Sequence, residues 1–203
     1  MSKGKLIVFE GIDGCGKTTQ AKKLLAHFQA KGVQATLYRE PGATQVGEEI
    51  RNILLAKKDF QGGLGAHAEF LLFAAARAEL VRLILKPQLE QGTTVILDRF
   101  ALSSIVYQGF ARGVDIEFIK MVNHTVTAGT HPDKIFLLDI DPKIGMSRFE
   151  GSSDRIEQKG LDFFEKVRQG YLKVPNSGSC VISLIDGASG IEEVFEQVLS
   201  NLP

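Results

Sequence analysis

Short, continuously apolar runs recur along the chain and alternate with segments of helical periodicity. Four runs are clear and one is weaker: they are Leu6–Phe9, Val95–Leu97, Ile135–Leu138 and Val181–Ile185, with Ala35–Tyr38 as the weaker one. Runs of this length without polar alternation are typical of strands buried on both faces of a parallel sheet. The pattern therefore predicts five parallel strands with helices between them.

Helical patterns fill the segments between these runs. They are predicted at Thr18–Lys31, Gly47–Leu55, Ala66–Glu90, Ile116–Val126, Pro142–Phe149, Asp162–Leu172 and Ile191–Leu199. Two helix starts carry capping signals, because Asp141 precedes a proline and Ser189 stands three residues before Glu192. Pro87 should bend or end the third helix, since it lacks an N–H donor and clashes with the preceding turn. The alternation predicts a three-layer α/β fold whose ligands gather at the carboxyl ends of the strands.

Length and composition narrow the class of protein. The chain has 203 residues, which suits a single domain over 1–203, and its 24 Lys and Arg balance 24 Asp and Glu. Without excess positive charge, no nucleic-acid partner is expected. Cys15 and Cys180 form no zinc motif or disulfide framework, which favours a reducing, cytoplasmic location. The apolar run near the N-terminus is too short for a signal peptide, and no membrane segment is predicted.

One motif predicts a phosphate-binding loop. Gly11-Ile-Asp-Gly-Cys-Gly-Lys17-Thr18 satisfies G-x-x-x-x-G-K-[ST] directly after the first predicted strand and at the start of a predicted helix. The residues predicted to contact ATP are Gly11, Ile12, Asp13, Gly14, Cys15, Gly16, Lys17, Thr18 and Thr19. Backbone N–H groups and the helix N-terminus can surround phosphate oxygens, Lys17 can reach the β- and γ-phosphates, and Thr18 can ligate Mg²⁺. We therefore expect a P-loop NTPase fold that uses ATP and Mg²⁺.

The loop alone does not choose among kinase, GTPase and motor. The guanine-specifying Asn-Lys-x-Asp and the Asp-x-x-Gly switch of GTPases do not occur in the expected places, and the loop lacks the proline of adenylate kinases.

Asp98 follows an apolar run as a Walker-B carboxylate would, so it could hold Mg²⁺ directly or through water. Arg39 and Arg99 follow the second and third strands, and their guanidinium groups could together bind a second phosphate group. The alternative is that each forms an ion pair at the protein surface.

Further sequence blocks resemble the bacterial thymidylate kinases. The blocks are Phe9-Glu-Gly-Ile-Asp-Gly-Cys-Gly-Lys-Thr-Thr-Gln20, Arg39-Glu-Pro-Gly-Ala-Thr44, Leu71-Leu-Phe-Ala-Ala-Ala-Arg77, Asp98-Arg-Phe-x-x-Ser-Ser104 with Tyr107-Gln-Gly109, and Asp154-Arg-Ile-Glu157 followed by Arg168-x-Gly-Tyr171. They stand in the family's order and span nearly the whole chain. The resemblance implies ATP-dependent phosphorylation of dTMP to dTDP, by a homodimer whose interface lies around the third helix.

The resemblance also implies roles for residues around the sugar and phosphate of dTMP. Arg39 and Arg99 would hold its phosphate, and Asp13 would bond the sugar 3′-hydroxyl. Tyr107 would crowd the 2′ position and so disfavour ribonucleotides. From the residues alone, Tyr107 could equally be an amphipathic core residue, and Asp13 could serve only the geometry of the turn.

The base would lie among helical side chains. Phe73 and Arg77 stand four apart on one helix face, and the resemblance implies that the ring stacks on thymine while the guanidinium bonds the base. Ser104 and Gln108 are also one turn apart, and the resemblance places both beside the base. Taken without the family, Phe73 is more typical of a core side chain.

A short lid is expected at approximately 148–159. Family members without a basic residue in the loop usually carry an arginine-rich lid, but this segment reads Arg148-Phe-Glu-Gly-Ser-Ser-Asp-Arg155, with acid where base is usual. Arg155 is expected at the γ-phosphate and Arg148 against adenine. Ala43 and Ala76 stand where glycine and aspartate are usual, and Ala76 could remove a carboxylate that steadies Arg77.

Phosphoryl transfer requires mainly positioning and charge stabilisation, so no general base is assigned. The residues predicted to be catalytic are Lys17, Asp98, Arg99 and Arg155.

One alternative to phosphorylation of dTMP is a kinase for another pyrimidine monophosphate or for an unphosphorylated deoxynucleoside. Another is a nucleotide-binding regulatory protein that has lost turnover through its reduced lid.

Overall fold

A computed structural model describes residues 3–56, 60, 63–148, 155–174 and 180–202. Its strands are β1 Leu6–Glu10, β2 Ala35–Arg39, β3 Thr94–Asp98, β4 Lys134–Asp139 and β5 Val181–Asp186. They form one sheet in the order β2-β3-β1-β4-β5, and every pairing is parallel. The predicted five-stranded parallel sheet is confirmed, and each strand covers one of the predicted apolar runs.

Burial explains why some strands were easier to predict than others. All five residues of β1 are buried, and so are most of those in β3 and β4, which lie in the middle of the sheet. β2 lies at one edge and is only partly buried, which accounts for its weaker apolar pattern. At the other edge, Val181 and Leu184 of β5 are exposed.

The strand register brings polar residues to one edge of the sheet. Arg39 at the end of β2 pairs with Asp98 at the end of β3, and Phe9 of β1 also pairs with Asp98. The loop that starts at Gly11 therefore leaves the sheet beside both polar residues. This edge is where a parallel α/β sheet places its ligands.

Helices flank the sheet, as predicted. They are α1 Lys17–Ala30, α2 Gln45–Leu55, α3 Ala66–Leu80, α4 Lys86–Glu90, α5 Ala101–Ser104, α6 Ile116–Thr127, α7 Pro142–Ser147, α8 Leu161–Leu172 and α9 Ile191–Ser200, with π-helical segments at Val81–Leu85 and Ile105–Phe110 and a 3₁₀ turn at Glu157–Lys159. α1 packs on β1, β2 and β3, and α3 packs between α2 and α6. None of the helices in the described ranges is long and apolar enough to cross a bilayer.

The third helix does not end at Pro87. The segment Val81–Leu85 continues α3 as a π-helix, and Pro87 lies in the first turn of α4, which runs on to Glu90. A proline is tolerated in a first turn because its missing N–H would have no regular intrahelical partner there. The wider π turn before Pro87 is thus the local change of helix that accommodates it.

The two predicted helix caps had different outcomes. The Asp141 cap is confirmed, because Oδ1 of Asp141 accepts a 2.8 Å hydrogen bond from the backbone N–H of Lys143. The capping box at Ser189 is wrong. The helix begins at Ile191, as predicted, but its N-cap residue is Gly190 and not Ser189. The carboxylate of Glu193 accepts from the backbone N–H of Gly190 at 3.0 Å, and the hydroxyl of Ser189 donates to Asp186 instead.

Candidate active site

The segment Gly11–Thr18 forms a tight loop between β1 and α1. Gly14 has a φ of 77°, and a Cβ atom there would lie 2.1 Å from the carbonyl oxygen of Gly145. Only glycine fits this backbone and this close approach. Lys17 is buried, and its Nζ donates to the carbonyl oxygen of Ile12 at 2.7 Å. The loop is therefore folded as the motif predicts, with its lysine held against the loop.

Cys15 is an inert part of the loop. Its side chain is buried, and burial raises the pKa of its thiol, with Lys17 acting in the opposite direction. A thiol with a raised pKa is a poor nucleophile. This agrees with the interpretation of Cys15 as a small loop residue.

The two residues predicted to hold a metal lie together. The hydroxyl of Thr18, in the first turn of α1, donates to Oδ2 of Asp98 at 2.5 Å. Both side chains line a cleft of about 2200 Å³, counting the part open to solvent. Their oxygens are hard donors of the kind that Mg²⁺ prefers alongside phosphate oxygens and water, so the pair fits this ion.

The large cleft collects most of the residues predicted to contact ATP. Those that line it are Asp13, Gly14, Gly16, Lys17, Thr18, Thr19 and Arg148. Arg148 Nη1 donates to the carbonyl oxygens of Gly14 and Gly187 at 3.2 and 3.4 Å. Gly11, Ile12 and Cys15 form the back of the loop and do not line the cleft.

A smaller cavity of about 570 Å³, counting its open part, adjoins the cleft. Seven of the eight residues predicted to bind the second substrate line it: Asp13, Phe73, Arg77, Arg99, Ser104, Tyr107 and Gln108. The eighth, Arg39, lines the large cleft instead, where its half-exposed side chain lies 3.3 Å from Glu48. Asp13, Glu40, Arg51 and Arg99 line both spaces, so the boundary between the cleft and the cavity lies among these four side chains.

Arg99 is held in a network with Asp13 and Tyr107. Its Nη2 donates to Asp13 at 2.5 Å and to the hydroxyl of Tyr107 at 3.0 Å, and that hydroxyl donates to Asp13 at 2.9 Å. Burial acts to raise the pKa of Asp13, but the nearby cations Arg99 and Lys17 outweigh it and the pKa is lowered. Both members of the pair are therefore charged, and the bonds to Asp13 and Tyr107 fix the orientation of the Arg99 guanidinium.

Glu10 is a buried carboxylate that bonds the residues around Arg99. No role was predicted for it from the sequence. It is fully buried, and its carboxylate accepts from the backbone N–H groups of Phe100 and Ser103 at 2.9 and 3.3 Å. It also accepts from the hydroxyls of Ser103 and Tyr171, at 2.6 and 2.8 Å. Arg99 Nη1 in turn donates to both of these hydroxyls. A carboxylate at the end of an apolar strand was the only signal available in the sequence.

Arg99 needs this support because its backbone is strained. Its φ is 73°, in the left-handed region that costs a residue with a Cβ atom about 1–2 kcal/mol. The N–H of Arg99 donates to the carbonyl of Phe9, and the next N–H, that of Phe100, donates to Glu10. The backbone on both sides of the strained residue is thus tied to β1.

Arg77 is buried and almost completely hydrogen-bonded. Its Nε and Nη2 donate to the carboxylate of Glu40 at 2.9 and 2.7 Å. Its Nη1 donates to Asn123 at 2.7 Å and to the hydroxyl of Ser104 at 3.3 Å. Burial raises the pKa of the Glu40 carboxyl to about 7, against the opposing effect of Arg77. No role was predicted for Glu40, whose only signal in the sequence was its place beside Arg39.

The concern about Ala76 is corrected by these contacts. Glu40 supplies the carboxylate that steadies Arg77, so none is needed at position 76. Ala76 is buried in an apolar cluster with Ile50 and Leu54, between α2 and α3. A charged side chain in that cluster would be desolvated without a partner among these residues.

Arg155 does not lie at the phosphate loop, contrary to the expectation for a γ-phosphate ligand. Its Nε donates to the carbonyl oxygen of Leu54 at 2.9 Å, and its Nη2 lies 2.5 Å from the carboxylate of Glu69. The acid attracts the guanidinium away from the cleft, and Arg155 lines neither the cleft nor the cavity. Within the predicted lid at 148–159, residues 149–154, which include Asp154, lie outside the described residues.

The sequence is similar to one family of known proteins. The sequence model of the family described as Thymidylate kinase matches residues 9–198. A thymidylate kinase of Thermoanaerobacter sp. (strain X514) is 44% identical over 198 residues, covering 97% of this chain and 96% of that protein. Thymidylate kinases of Fervidobacterium nodosum and Chlorobaculum tepidum are each 40% identical, covering 95% and 97% of this chain and 95% and 96% of their own lengths.

Proposed function

The chain belongs to the thymidylate kinase family, whose members phosphorylate dTMP to dTDP, and we propose that it uses ATP as donor in the cleft and binds dTMP in the adjoining cavity. One observation carries the proposal. The P-loop cleft and the cavity lined by Phe73 and Arg77 share part of their walls, and Asp13 and Arg99 are among the residues that line both. Two phosphates bound from the two sides would therefore face each other at a fixed cation.

The donor side suits the phosphates of ATP. The backbone N–H groups of the loop and the N-terminus of α1 favour the binding of anions. Lys17 Nζ now donates to the carbonyl oxygen of Ile12 and would donate to a phosphate oxygen when ATP binds. Thr18 and Asp98 would hold Mg²⁺, which neutralises phosphate charge when bound. Arg148 lies at the rim of the cleft beside Gly14 and Gly187, which supports a place against adenine.

The acceptor side suits dTMP. Phe73 offers an aromatic face, and the hydroxyl of Ser104 offers a hydrogen-bond donor for the base. Arg77 would bond the base by giving up one of its present bonds to Ser104. Arg99, with Arg39 at the mouth of the cleft, would bind the phosphate. Asp13 and Tyr107 stand next to Arg99, where the sugar 3′-hydroxyl and the 2′ position would lie.

The reaction needs no proton acceptor. An ionised oxygen of the dTMP phosphate attacks the γ-phosphorus of ATP, the bond from that phosphorus to the β-bridging oxygen breaks, and ADP leaves. Lys17 and Arg99 would stabilise the charge on the transferring group. Arg155 can contribute only after it leaves Glu69, so its role at the γ-phosphate depends on the breaking of this ion pair.

Coupled ADP release tests the proposal, with ATP, Mg²⁺ and each of dTMP, dUMP, UMP, CMP and thymidine as acceptor. We expect the highest kcat/KM with dTMP, no turnover with thymidine, and loss of turnover when Mg²⁺ is chelated. Lys17→Met should remove turnover while leaving dTMP binding intact. Binding of ATP without turnover on any acceptor would favour a regulatory nucleotide-binding protein instead.

We also propose a homodimer and a cytoplasmic location. Leu71 of α3 and Leu83 of the following π segment are about half exposed, at 48% and 49%, as expected of an interface helix. Sedimentation equilibrium should give twice the chain mass, and Leu71→Glu should lower it. The cytoplasmic proposal rests on Cys15 and Cys180, both of which are free thiols.

A further inference from the structure

Glu69 is a buried carboxylate of α3 to which neither the sequence nor the family comparison assigns a role. Its side chain is 2% exposed and lies close to three donors. It accepts from Nε2 of Gln108 at 2.9 Å and pairs with Arg112 at 2.6 Å and with Arg155 at 2.5 Å. Burial acts to raise the pKa of Glu69, but the hydrogen bonds from Gln108, Arg155 and Arg112 outweigh it and the pKa is lowered.

The ionised carboxylate determines how the amide of Gln108 is turned. An ionised carboxylate can only accept hydrogen bonds, so the group that Gln108 presents to it must be the N–H₂. The Oε1 oxygen of Gln108 therefore points away from Glu69. Gln108 lines the smaller cavity, and no group in the described part of the chain donates to this oxygen. The cavity wall thus carries a hydrogen-bond acceptor of fixed orientation.

Donors stand next to this acceptor. Ser104 Oγ accepts from Nη1 and Nη2 of Arg77 at 3.3 and 3.2 Å, which leaves the hydroxyl proton of Ser104 free to donate. Ser104 and Arg77 line the same cavity as Gln108. The wall therefore offers donors and an acceptor side by side.

This pattern complements one class of pyrimidine. The 4-keto edge of thymine or uracil presents O4 as an acceptor and N3–H as a donor, so both find partners. Cytosine presents an amino group in place of O4 and an unprotonated N3 in place of N3–H, so both positions are mismatched. A site built to hydrogen-bond one pattern rejects the other strongly, because its buried polar groups are left unpaired.

We propose that Glu69 is a specificity-determining positioning residue, which holds the amide of Gln108 so that Oε1 accepts from N3–H and cytosine nucleotides are excluded. The inference rests on the proposed function, because it places the base of dTMP in this cavity. Without the negative charge at position 69, the amide of Gln108 can turn over and offer N–H₂ to N3 of cytosine. Glu69→Gln permits this inversion, because a glutamine side chain can either donate or accept.

The test compares dTMP as substrate with dCMP as competitor. For wild type and Glu69→Gln, the KM for dTMP and the inhibition constant of dCMP are measured, and their ratio gives the selectivity. We expect Glu69→Gln to lower the selectivity by about tenfold or more, with tighter binding of dCMP. A purely structural defect would weaken both nucleotides by the same factor, and that result would overturn the proposal.

Gln108→Leu provides a second route to the same test. This variant removes the acceptor but leaves the pairs of Glu69 with Arg112 and Arg155 in place, so it remains informative if Glu69→Gln does not fold. Its selectivity should fall as well, and adding Glu69→Gln to it should change the selectivity no further. Unchanged selectivity in Gln108→Leu, or independent effects in the double variant, would contradict the role of Glu69.

Two controls separate this inference from the proposed function. Glu79→Gln alters another carboxylate of α3, which pairs with the exposed Arg82, and should leave the selectivity unchanged. A wild-type protein that does not phosphorylate dTMP would contradict the proposed function itself. An active wild type with unaltered selectivity in both variants would contradict only the role of Glu69.

Discussion

Asp13 and Arg99 meet at the boundary between the nucleotide cleft and the smaller cavity, with 2.5 Å between Oδ1 of the acid and Nη2 of the guanidinium. They are 86 positions apart in the chain. Each follows a neighbouring strand of the parallel sheet, so the sheet itself brings them together. The pair places a directed cation where the two substrates would exchange a phosphoryl group.

Replacing Arg99 by lysine should therefore damage turnover more than binding. Arg99→Lys keeps the charge but loses the planar fork, whose Nη2 bonds Asp13 and Tyr107 while its Nη1 bonds Ser103 and Tyr171. We therefore expect kcat to fall by about 10²–10³. Steady-state kinetics with varied dTMP measures the effect. Arg82→Lys, on an exposed guanidinium, is the matched control and should be unchanged. A kcat within about threefold of wild type would mean that Arg99 does not stabilise the transferring group.

Glu10→Gln tests the support beneath Arg99. The amide oxygen can still accept from the N–H groups of Phe100 and Ser103, but the amide nitrogen cannot accept from the hydroxyls of Ser103 and Tyr171. We expect kcat/KM for dTMP to fall by about tenfold, with ATP affinity changed much less. Glu117→Gln is the control, because Glu117 is exposed, pairs with Lys120 on α6 and lines neither the cleft nor the cavity. An equal loss of ATP and dTMP affinity would indicate general disruption of the fold.

Glu40 should give the protein a pH-dependent stability. Its pKa in the folded protein is about 7, above the ordinary 4.5, so the folded state binds this proton more tightly than the unfolded chain. The contribution of Glu40 to the free energy of unfolding therefore falls as the pH rises from 4.5 to about 7, by up to about 3 kcal/mol.

Glu40→Gln removes this titration. Urea unfolding across the same pH range should show the wild type losing stability relative to the variant as the pH rises. The test is how the difference in free energy of unfolding between wild type and variant changes with pH. Its absolute value is not the test, because loss of the pair with Arg77 also lowers the stability of the variant at every pH. Parallel curves for the two proteins would contradict a raised pKa at Glu40.

Ala43→Gly should stabilise the protein slightly. Ala43 has a φ of 69°, so glycine would relieve about 1–2 kcal/mol of left-handed strain at a cost of about 0.5–1 kcal/mol in chain entropy. The net gain in the free energy of unfolding should be no more than about 1 kcal/mol in denaturant unfolding. Ala128→Gly is the matched control, since Ala128 also has a positive φ, of 47°, but is exposed. A loss at Ala43 with a gain at Ala128 would show that packing of the Ala43 methyl outweighs the strain.

The pattern of apolar runs predicted the sheet because strands buried on both faces must be apolar throughout. The weakest prediction was β2, a partly buried edge strand, whereas β5 at the other edge has a clear apolar run. The P-loop was equally readable, because its function depends on a local backbone conformation that adjacent glycines permit. The sequence was less informative where a single residue decides a contact: Gly190, and not Ser189, caps α9, and Arg155 pairs with Glu69.

The sequence by itself determined the strands, most of the helices, the phosphate loop and the residue blocks of the family, because each of these depends on neighbours in the chain. Only the tertiary structure decided which buried acid pairs with which donor. Glu10, Glu40 and Glu69 each bond side chains that lie between 37 and 161 positions away. A carboxylate gains such partners only when folding removes it from water, so its role depends on the contacts of the folded chain and cannot be found in the residues beside it.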